Sequence, residues 1–301
     1  MKITKSTIVI LLITSSIPLY AQEILKELPV LVGIEIRALV NVNEEGVFKY
    51  SYAIQNDSSS SGNIFQFEID LRFSGTQLPD TTGLIEGDSF ENRAFRRIYP
   101  TLKGRIVPVG FSGVPDRWNT IITKSLKLNF GGYPLIKPGG ILGPFTVKSY
   151  GVPSIRRITV RPQFDVDEYF PSINDTLPIF NFKEMDTLKK STYYFLESLG
   201  PWLPDSTLSL ESFTDTLETF RFRSCEELGW ANDTTVCGQL ENQLSQVKTA
   251  LQNQDSVQAA NVLAEFIELV KAEIETSLTS EGYALLFFNS EYLAERLRGE
   301  D

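Results

Sequence analysis

The hydrophobic pattern of this chain changes its period once, and no other feature constrains the fold as strongly. From residue 30 to about residue 162, apolar and polar residues alternate, which is typical of strands that bury one face of a sheet. From about residue 184 to residue 297, apolar residues recur at steps of three and four, which is typical of helices that bury one face. The sequence therefore predicts an all-β part followed by an all-α part.

The all-β part is predicted to be an antiparallel sandwich. Its strands are expected at residues 34–40, 48–54, 65–73, 105–111, 126–130, 145–150 and 155–161. Apolar residues line one side of these segments, whereas strands of a parallel sheet are apolar on both sides. Pro108 lacks a backbone N–H, which confines its strand to a sheet edge or a bulge. Short strands in this number, without helices between them, predict an antiparallel β-sandwich.

The all-α part is predicted to be a small helical bundle. A first helix is expected from about residue 184 to residue 199, where Gly200 and Pro201 end it. The residues expected at later helix ends are Ser209 or Ser212, Gly229, and Thr279 or Ser280. Three C-terminal stripes consist of Leu240, Leu244, Val247 and Leu251, then Ala259, Leu263, Phe266 and Val270, then Tyr283, Leu286, Phe287, Leu293 and Leu297. No helix buries its own stripe, so these helices must pack on one another or on the sheets.

The N-terminus has the pattern of a secretory signal peptide. A short basic region with Lys2 and Lys5 precedes an apolar run at residues 8–13, and cleavage is expected before Gln22. The alternative is a retained membrane anchor, but the apolar run is shorter than the roughly 20 residues that span a bilayer. We expect a secreted, cell-surface or periplasmic protein that does not span a membrane.

These patterns predict four segments along the chain. Residues 1–21 are the signal peptide, 27–165 the β-sandwich domain, 166–182 a connector and 183–301 the α-helical domain.

Composition excludes several classes of function. The whole chain has 28 basic and 38 acidic residues, a net charge of −10, and no basic cluster with interleaved aromatic residues, so no nucleic-acid partner is expected. The chain contains 0 histidines. A protease with a histidine base and a zinc hydrolase with histidine ligands are therefore excluded, and no cofactor is predicted.

The two cysteines of the chain predict one disulfide bond. Cys225 and Cys237 form a lone pair in a chain with an export signal, and an oxidising compartment favours their pairing. Closing such a short loop contributes about 3 kcal/mol to stability. A metal site is disfavoured because two thiolates do not complete a tetrahedral coordination shell, and the spacing does not fit a thioredoxin-like redox pair.

Clustered carboxylates provide two further hypotheses. Asp165, Asp167 and Glu168 are weak candidates for calcium ligands, although no EF-hand pattern surrounds them and a solvated acidic linker fits better. A pair of carboxylates performs glycoside hydrolysis without histidine, and this leaves a polysaccharide hydrolase as an alternative. The sequence does not say which pair stands at the required separation, and no catalytic residues are assigned.

Aromatic residues and glycosylation sequons are the remaining candidates for function. Five aromatic residues are considered as a platform that stacks on sugars, although such residues more often fill cores: Tyr133, Tyr150, Trp118, Trp202 and Trp230. Asn56, Asn174 and Asn232 begin sequons for N-linked glycosylation, which matter only in a cell that glycosylates.

Two segments resemble modules of exported proteins. Residues 240–297 resemble the FIMAH-type helical module of secreted bacterial proteins, through the first two apolar stripes, the polar spacer that ends at Asp255 and the Leu278-Thr279-Ser280-Glu281 opening. The segment from Trp118 to Pro153, with its Pro138-Gly139-Gly140 and Gly143-Pro144-Phe145 turns, is similar to secreted immunoglobulin-like sandwiches. The resemblances imply an appended module and a surface scaffold, and they carry over no functional residues.

Together these patterns predict a non-catalytic exported protein with a binding or structural role at the cell surface or in the periplasm. Its ligand is expected to be an unidentified protein or a polysaccharide.

Overall fold

The computed structural model of the protein describes residues 28–71, 106–108, 114–122, 127–164, 182–204 and 207–299. Its strands are β1 (Glu35–Val42), β2 (Phe48–Gln55), β3 (Ile64–Asp70), β4 (Ile106–Pro108), β5 (Trp118–Ile122), β6 (Lys127–Ile136), β7 (Ile141–Ser149), β8 (Val152–Pro162) and β9 (Tyr194–Trp202). Its helices are α1 (Phe182–Ser191), α2 (Leu210–Phe222), α3 (Thr234–Gln252), α4 (Ser256–Ala272) and α5 (Ser280–Arg298), and a π-helical segment, Arg223–Glu227, continues α2. The predicted order of a β part followed by a helical part is confirmed.

Within the described residues the strands form two antiparallel sheets. Sheet 1 has the strand order β1-β2-β7-β4, and sheet 2 has the order β5-β6-β3-β8-β9. Every pairing in the two sheets is antiparallel, as the one-sided alternation predicted. The short strand β4, which contains Pro108, lies at an edge of sheet 1. That position tolerates a residue without a backbone N–H.

The core of the β part lies between the two sheets. Phe67 and Phe130 of sheet 2 stack with their ring centroids 4.6 Å apart. Phe145 of sheet 1 meets both rings edge-on, at 4.9 and 5.5 Å, and Trp118 meets Phe145 at 4.9 Å. All four side chains are buried. Aromatic residues from both layers therefore interdigitate, as in a β-sandwich.

The helix predicted at residues 184–199 is wrong over its second half. The chain leaves α1 at Ser191 and enters strand β9, which pairs along its whole length with β8. The alternation is hidden because both sides of β9 are covered at its C-terminal end, where Ser198, Leu199 and Gly200 are all buried. Sheet 2 thus takes its last strand from within the range 183–301, which was predicted to be helical.

Helix α5 packs against the β part rather than only against other helices. It contacts β1 and β8, and the Phe288 ring meets the Phe48 ring edge-on at 5.1 Å. Strand β1 is an edge strand of sheet 1, so some of its backbone N–H groups have no partner strand. One of them, the N–H of Ala38, donates a hydrogen bond to the Glu281 carboxylate, 2.8 Å away. Asn289 donates to the carbonyl oxygen of Pro153 at 2.8 Å. The helix therefore covers an edge that would otherwise leave backbone donors unpaired.

The predicted disulfide joins the π-helical segment after α2 to the first turn of α3. The Cα atoms of Cys225 and Cys237 lie 6.1 Å apart, within the range that a disulfide requires. Gly229, in the loop that the bond closes, has a φ of 66°, the left-handed conformation that was predicted for it. The bond therefore holds two consecutive helices of the C-terminal part together.

Helix ends in the C-terminal part follow the predicted capping residues. Ser209 caps α2 by accepting a hydrogen bond from the backbone N–H of Ser212, and Thr279 caps α5 through the N–H of Gly282. The predicted signal peptide at residues 1–21 lies outside the described residues, as does the connector at 166–182 apart from Phe182. These two assignments stay predictions.

Candidate binding face on the second sheet

The outer face of sheet 2 carries amide, charged and aromatic side chains. The inward positions of its central strands are apolar and buried: Phe67, Ile69, Leu128, Phe130, Ile158 and Val160. Because side chains alternate between the two faces of a strand, the residues between these positions point away from the core. Hereafter "the outer face" means the surface formed by Tyr133, Phe65 and two rows of residues that run across the strands, which the next paragraph names.

Strand register places the outer residues in two rows across the sheet. The first row runs Asn119, Gly131, Gln66 and Arg161 from β5 to β8. The second row runs Ile121, Asn129, Glu68, Thr159 and Phe195 from β5 to β9. Amide, charged and aromatic side chains therefore lie side by side on one gently twisted surface.

A carboxylate with two cationic partners lies at the centre of the outer face. The Glu68 side chain is 5% exposed, and its oxygens lie 2.7 Å from an Arg161 nitrogen and 3.3 Å from the Lys127 Nζ. Gln66 and Asn129 also donate to Glu68, each at 3.4 Å. A buried carboxylate is tolerated because these donors compensate for its lost hydration. The Glu68 carboxylate therefore stabilises the sheet, and its contacts are made within the protein.

Two arginines of β8 lie against aromatic rings at the β9 side of the outer face. The guanidinium carbon of Arg157 lies 4.4 Å from the centroid of the Phe195 ring, and that of Arg161 lies 4.8 Å from the Tyr193 ring. Phe195 is 50% exposed, although it is one of the largest apolar residues of the sheet. Cation–π contact orients each guanidinium over a ring.

A second aromatic group lies at the opposite side of the outer face. Tyr133 is 53% exposed, and its ring meets Phe65 at a centroid distance of 5.9 Å. The two residues lie where the register between β3 and β6 shifts, between Ile64 and Gln66. Three strand spacings separate β6 from β9 in the strand order, a width of roughly 14 Å. The exposed rings of Tyr133 and Phe195 therefore lie on either side of a polar floor.

The inner side of sheet 2 holds a polar group of a different kind. Arg156 is 3% exposed and donates to the carbonyl oxygen of Pro201 from Nε at 3.2 Å and from a terminal nitrogen at 2.6 Å. Burial lowers the pKa of this guanidinium to about 10, which leaves it charged at neutral pH. A Cβ atom at Gly200 would lie 2.7 Å from the Arg156 Cγ, so the glycine leaves room for the arginine stem.

Two tyrosines approach Arg156 from sheet 1. The hydroxyl of Tyr50 donates to the carbonyl oxygen of Gly151 at 2.7 Å, and burial raises the pKa of this hydroxyl. The hydroxyl of Tyr52 is buried and has no hydrogen-bond partner within the described part of the chain, and burial raises its pKa too. These groups form a polar interior that solvent does not reach, and we assign them a structural role.

The structure separates the five aromatic candidates named from the sequence. Trp118 and Trp202 are buried, at 1% and 8% exposure, and Trp230 is partly buried against the core. Tyr133 and Tyr150 are exposed, at 53% and 43%. The five residues therefore do not form one platform. Sequence reasoning missed Phe65, Phe195 and Tyr193, because only the register shows which side of sheet 2 they share with Tyr133.

The other sequence-predicted sites have different outcomes. Asp165, Asp167 and Glu168 lie outside the described residues, as does Asn174. Asn56 is 0% exposed and donates to the carbonyl oxygens of Gly62 and Ile136, so its side chain is not accessible for glycosylation. Asn232 is exposed.

Searches for a metal cluster and a membrane helix cover the described residues only. Within them, no three or more acidic or cysteine side chains gather closely enough to hold a metal ion. No helix in the same ranges combines the length and the apolar character needed to cross a bilayer.

The fold is thus an antiparallel two-sheet structure joined to a helical C-terminal part. Comparison with models of known protein families gives no match, and comparison with curated proteins gives none either.

Proposed function

We propose that this chain is a non-catalytic exported binding protein that contacts an extended polysaccharide with the outer face of sheet 2. The observation that carries the proposal is the half-exposed pair of aromatic residues, Tyr133 and Phe195, on either side of a polar floor. Exposed aromatic residues that share one surface with polar neighbours are typical of binding sites.

A polysaccharide fits this surface better than a compact ligand does. The C–H groups of a pyranose ring form an apolar patch that stacks on an aromatic ring, and its hydroxyls require donors and acceptors nearby. Gln66 and Asn129 supply both kinds of group between the aromatic residues, and Asn119 supplies them on β5, beyond the strand of Tyr133. The flat surface of a sheet also leaves both ends of a long chain free to extend.

Export is supported by the basic and apolar N-terminal pattern and by the Cys225–Cys237 bond, because disulfides persist in oxidising compartments. We place the protein at the cell surface or in the periplasm. The immunoglobulin-like assignment of the sandwich is part of the proposal and is supported by its two antiparallel sheets. The FIMAH-like assignment of the C-terminal part is supported by the three consecutive helices α3, α4 and α5.

The proposal is tested by affinity electrophoresis and titration calorimetry against neutral and acidic polysaccharides. Replacing Phe195 or Tyr133 by alanine should weaken binding at least about fivefold, or about 1 kcal/mol for each lost ring contact. Leu39→Ala is the matched control, because Leu39 is 54% exposed on the outer side of sheet 1. Equal affinity of the Phe195, Tyr133 and Leu39 variants would contradict the proposed face.

The carboxylate-based polysaccharide hydrolase remains the alternative function, and the same incubations test it. We expect no release of reducing ends from any polysaccharide that binds. Steady release, abolished by replacing a pair of carboxylates by their amides, would favour the hydrolase and overturn the non-catalytic proposal.

A further inference from the structure

Among the residues that the structure describes, one cation beside the outer face has no anionic partner. Next to the outer face, Lys127 and Arg161 are paired with Glu68, and Arg223 is paired with Glu197 and Glu227. Within the described ranges, by contrast, the Arg157 guanidinium forms no ion pair and donates no hydrogen bond. Arg157 is also exposed. Its charge and its planar set of donors are therefore available to a ligand.

The carboxylate beside Arg157 is already engaged elsewhere. Glu197 lies directly opposite Arg157 in the β8–β9 ladder, a position that commonly forms a cross-strand ion pair. Instead, Glu197 accepts a hydrogen bond from Arg223, which the π-helical segment brings to this edge of sheet 2. The helical part therefore engages the carboxylate that lies directly opposite Arg157 on β9.

The Arg157 guanidinium lies over the Phe195 ring. The guanidinium carbon lies 4.4 Å from the ring centroid, and this contact favours one orientation of a flexible side chain. Phe195 is half-exposed, so a sugar that contacts the ring edge lies next to the arginine donors. An oriented guanidinium loses less conformational entropy when it binds a planar anion with two parallel hydrogen bonds.

We infer that the polysaccharide bound by the outer face carries carboxylates, and that Arg157 binds one of them beside a sugar ring at Phe195. The inference rests on the proposed function and adds the chemical class of the ligand. A carboxylate accepts two parallel hydrogen bonds from a guanidinium, and it is a stronger acceptor than a sulfate ester because it is the conjugate base of a much weaker acid. The chain has a net charge of −10, which repels a polyanion at long range, so recognition depends on this short-range pair.

Calorimetric titration with polygalacturonate, its methyl ester and dextran sulfate tests the inference. The wild-type protein should bind polygalacturonate about tenfold more tightly than the ester, a difference of about 1.4 kcal/mol. Arg157→Gln should lower the affinity for polygalacturonate about tenfold more than the affinity for the ester, so that the preference is lost, whereas Arg157→Lys should retain part of the preference. Arg37→Gln is the matched control, because Arg37 is 71% exposed on the outer side of sheet 1.

The outcomes separate this inference from the proposed function. Equal binding of acid and ester, with both weakened by Phe195→Ala, would overturn the carboxylate assignment and leave the proposed function standing. Preference for dextran sulfate, or an equal loss for both galacturonans in Arg157→Gln, would also overturn it. Binding to none of these polymers and to no neutral polysaccharide would overturn both.

Discussion

Two neighbouring arginines of β8 illustrate how differently the two faces of sheet 2 are built. Arg156 points inward, is 3% exposed and donates twice to the Pro201 carbonyl oxygen. Arg157 points outward, lies over Phe195 and makes no ion pair among the described residues. The same residue type is part of the fold on one face and is available to a ligand on the other.

The aromatic residues of sheet 2 show the same difference. Phe67 is 0% exposed and packs between Phe130 and Phe145, whereas Phe195 is 50% exposed. Inward aromatic residues contribute burial and ring contacts to stability. An outward ring that stays half in water contributes much less to the stability of the fold. Two pairs of substitutions measure this contrast, and substitutions at two further sites test contacts elsewhere in the fold.

The largest effect is expected for the aromatic core. Phe67→Ala should lower the free energy of unfolding by about 4 kcal/mol, because it removes a fully buried ring and leaves a void between the sheets. Phe195→Ala, its counterpart on the outer face, should change stability by less than about 1 kcal/mol. Denaturant unfolding followed by tryptophan fluorescence measures both values, and similar losses would remove the distinction between the faces.

The two arginines should differ next most strongly. Arg156→Met should cost about 2–3 kcal/mol, because the Pro201 carbonyl oxygen loses its charged donor in a buried site. Arg157→Met should change stability by no more than about 0.5 kcal/mol. The check is the midpoint of urea unfolding for both variants, and a larger loss for Arg157→Met would contradict the assignment.

The contact between α5 and the edge of sheet 1 should have an intermediate effect. Glu281→Ala leaves the Ala38 N–H without its acceptor and should cost about 1–2 kcal/mol. Glu281→Gln retains an acceptor oxygen and should recover most of that loss. Hydrogen exchange at the Ala38 amide provides a local measurement, with faster exchange expected in Glu281→Ala than in Glu281→Gln. Equal exchange in the two variants would show that the contact does not protect this edge.

The smallest effect at neutral pH is expected for Tyr52→Phe. The Tyr52 hydroxyl has no hydrogen-bond partner among the described residues, so its removal should change stability by less than about 1 kcal/mol at pH 7. Burial raises the pKa of Tyr52, so above about pH 10 the unfolded chain loses this proton while the folded protein keeps it. The wild-type protein should then lose stability relative to Tyr52→Phe, by up to about 1.4 kcal/mol per pH unit. Parallel curves for the two proteins between pH 8 and 11 would exclude this contribution.

The sequence predicted those parts of the fold whose signals are local. Alternation located most strands of the two sheets. Capping chemistry narrowed the N-cap of α2 to Ser209 or Ser212 and that of α5 to Thr279 or Ser280, and the structure has Ser209 and Thr279 as the caps. Strand β9 was missed because it is covered on both sides at one end and pairs with a strand more than 30 residues earlier. Strand β9 is stabilised by pairing with β8, a distant segment of the chain, and the local propensity of a sequence does not indicate such tertiary contacts.

The candidate surface was less predictable than the fold. Tyr133 was recognised as an aromatic candidate, but Trp118 and Trp202 were grouped with it although both are buried. Composition does not distinguish a core ring from a surface ring. The register of three strand pairs is needed to place Phe195 and Asn129 in one row, and that register depends on contacts between distant segments.

The most direct measurement of the central claim is a map of backbone amide chemical shifts during titration with a polysaccharide that binds. The account predicts that the shifts change along β6, β3, β8 and β9, with the largest changes around Tyr133, Gln66, Arg157 and Phe195. Residues of β1 and β2 should stay unchanged. Changes concentrated on sheet 1 or on α3 and α4, with the outer face of sheet 2 unaffected, would contradict the claim.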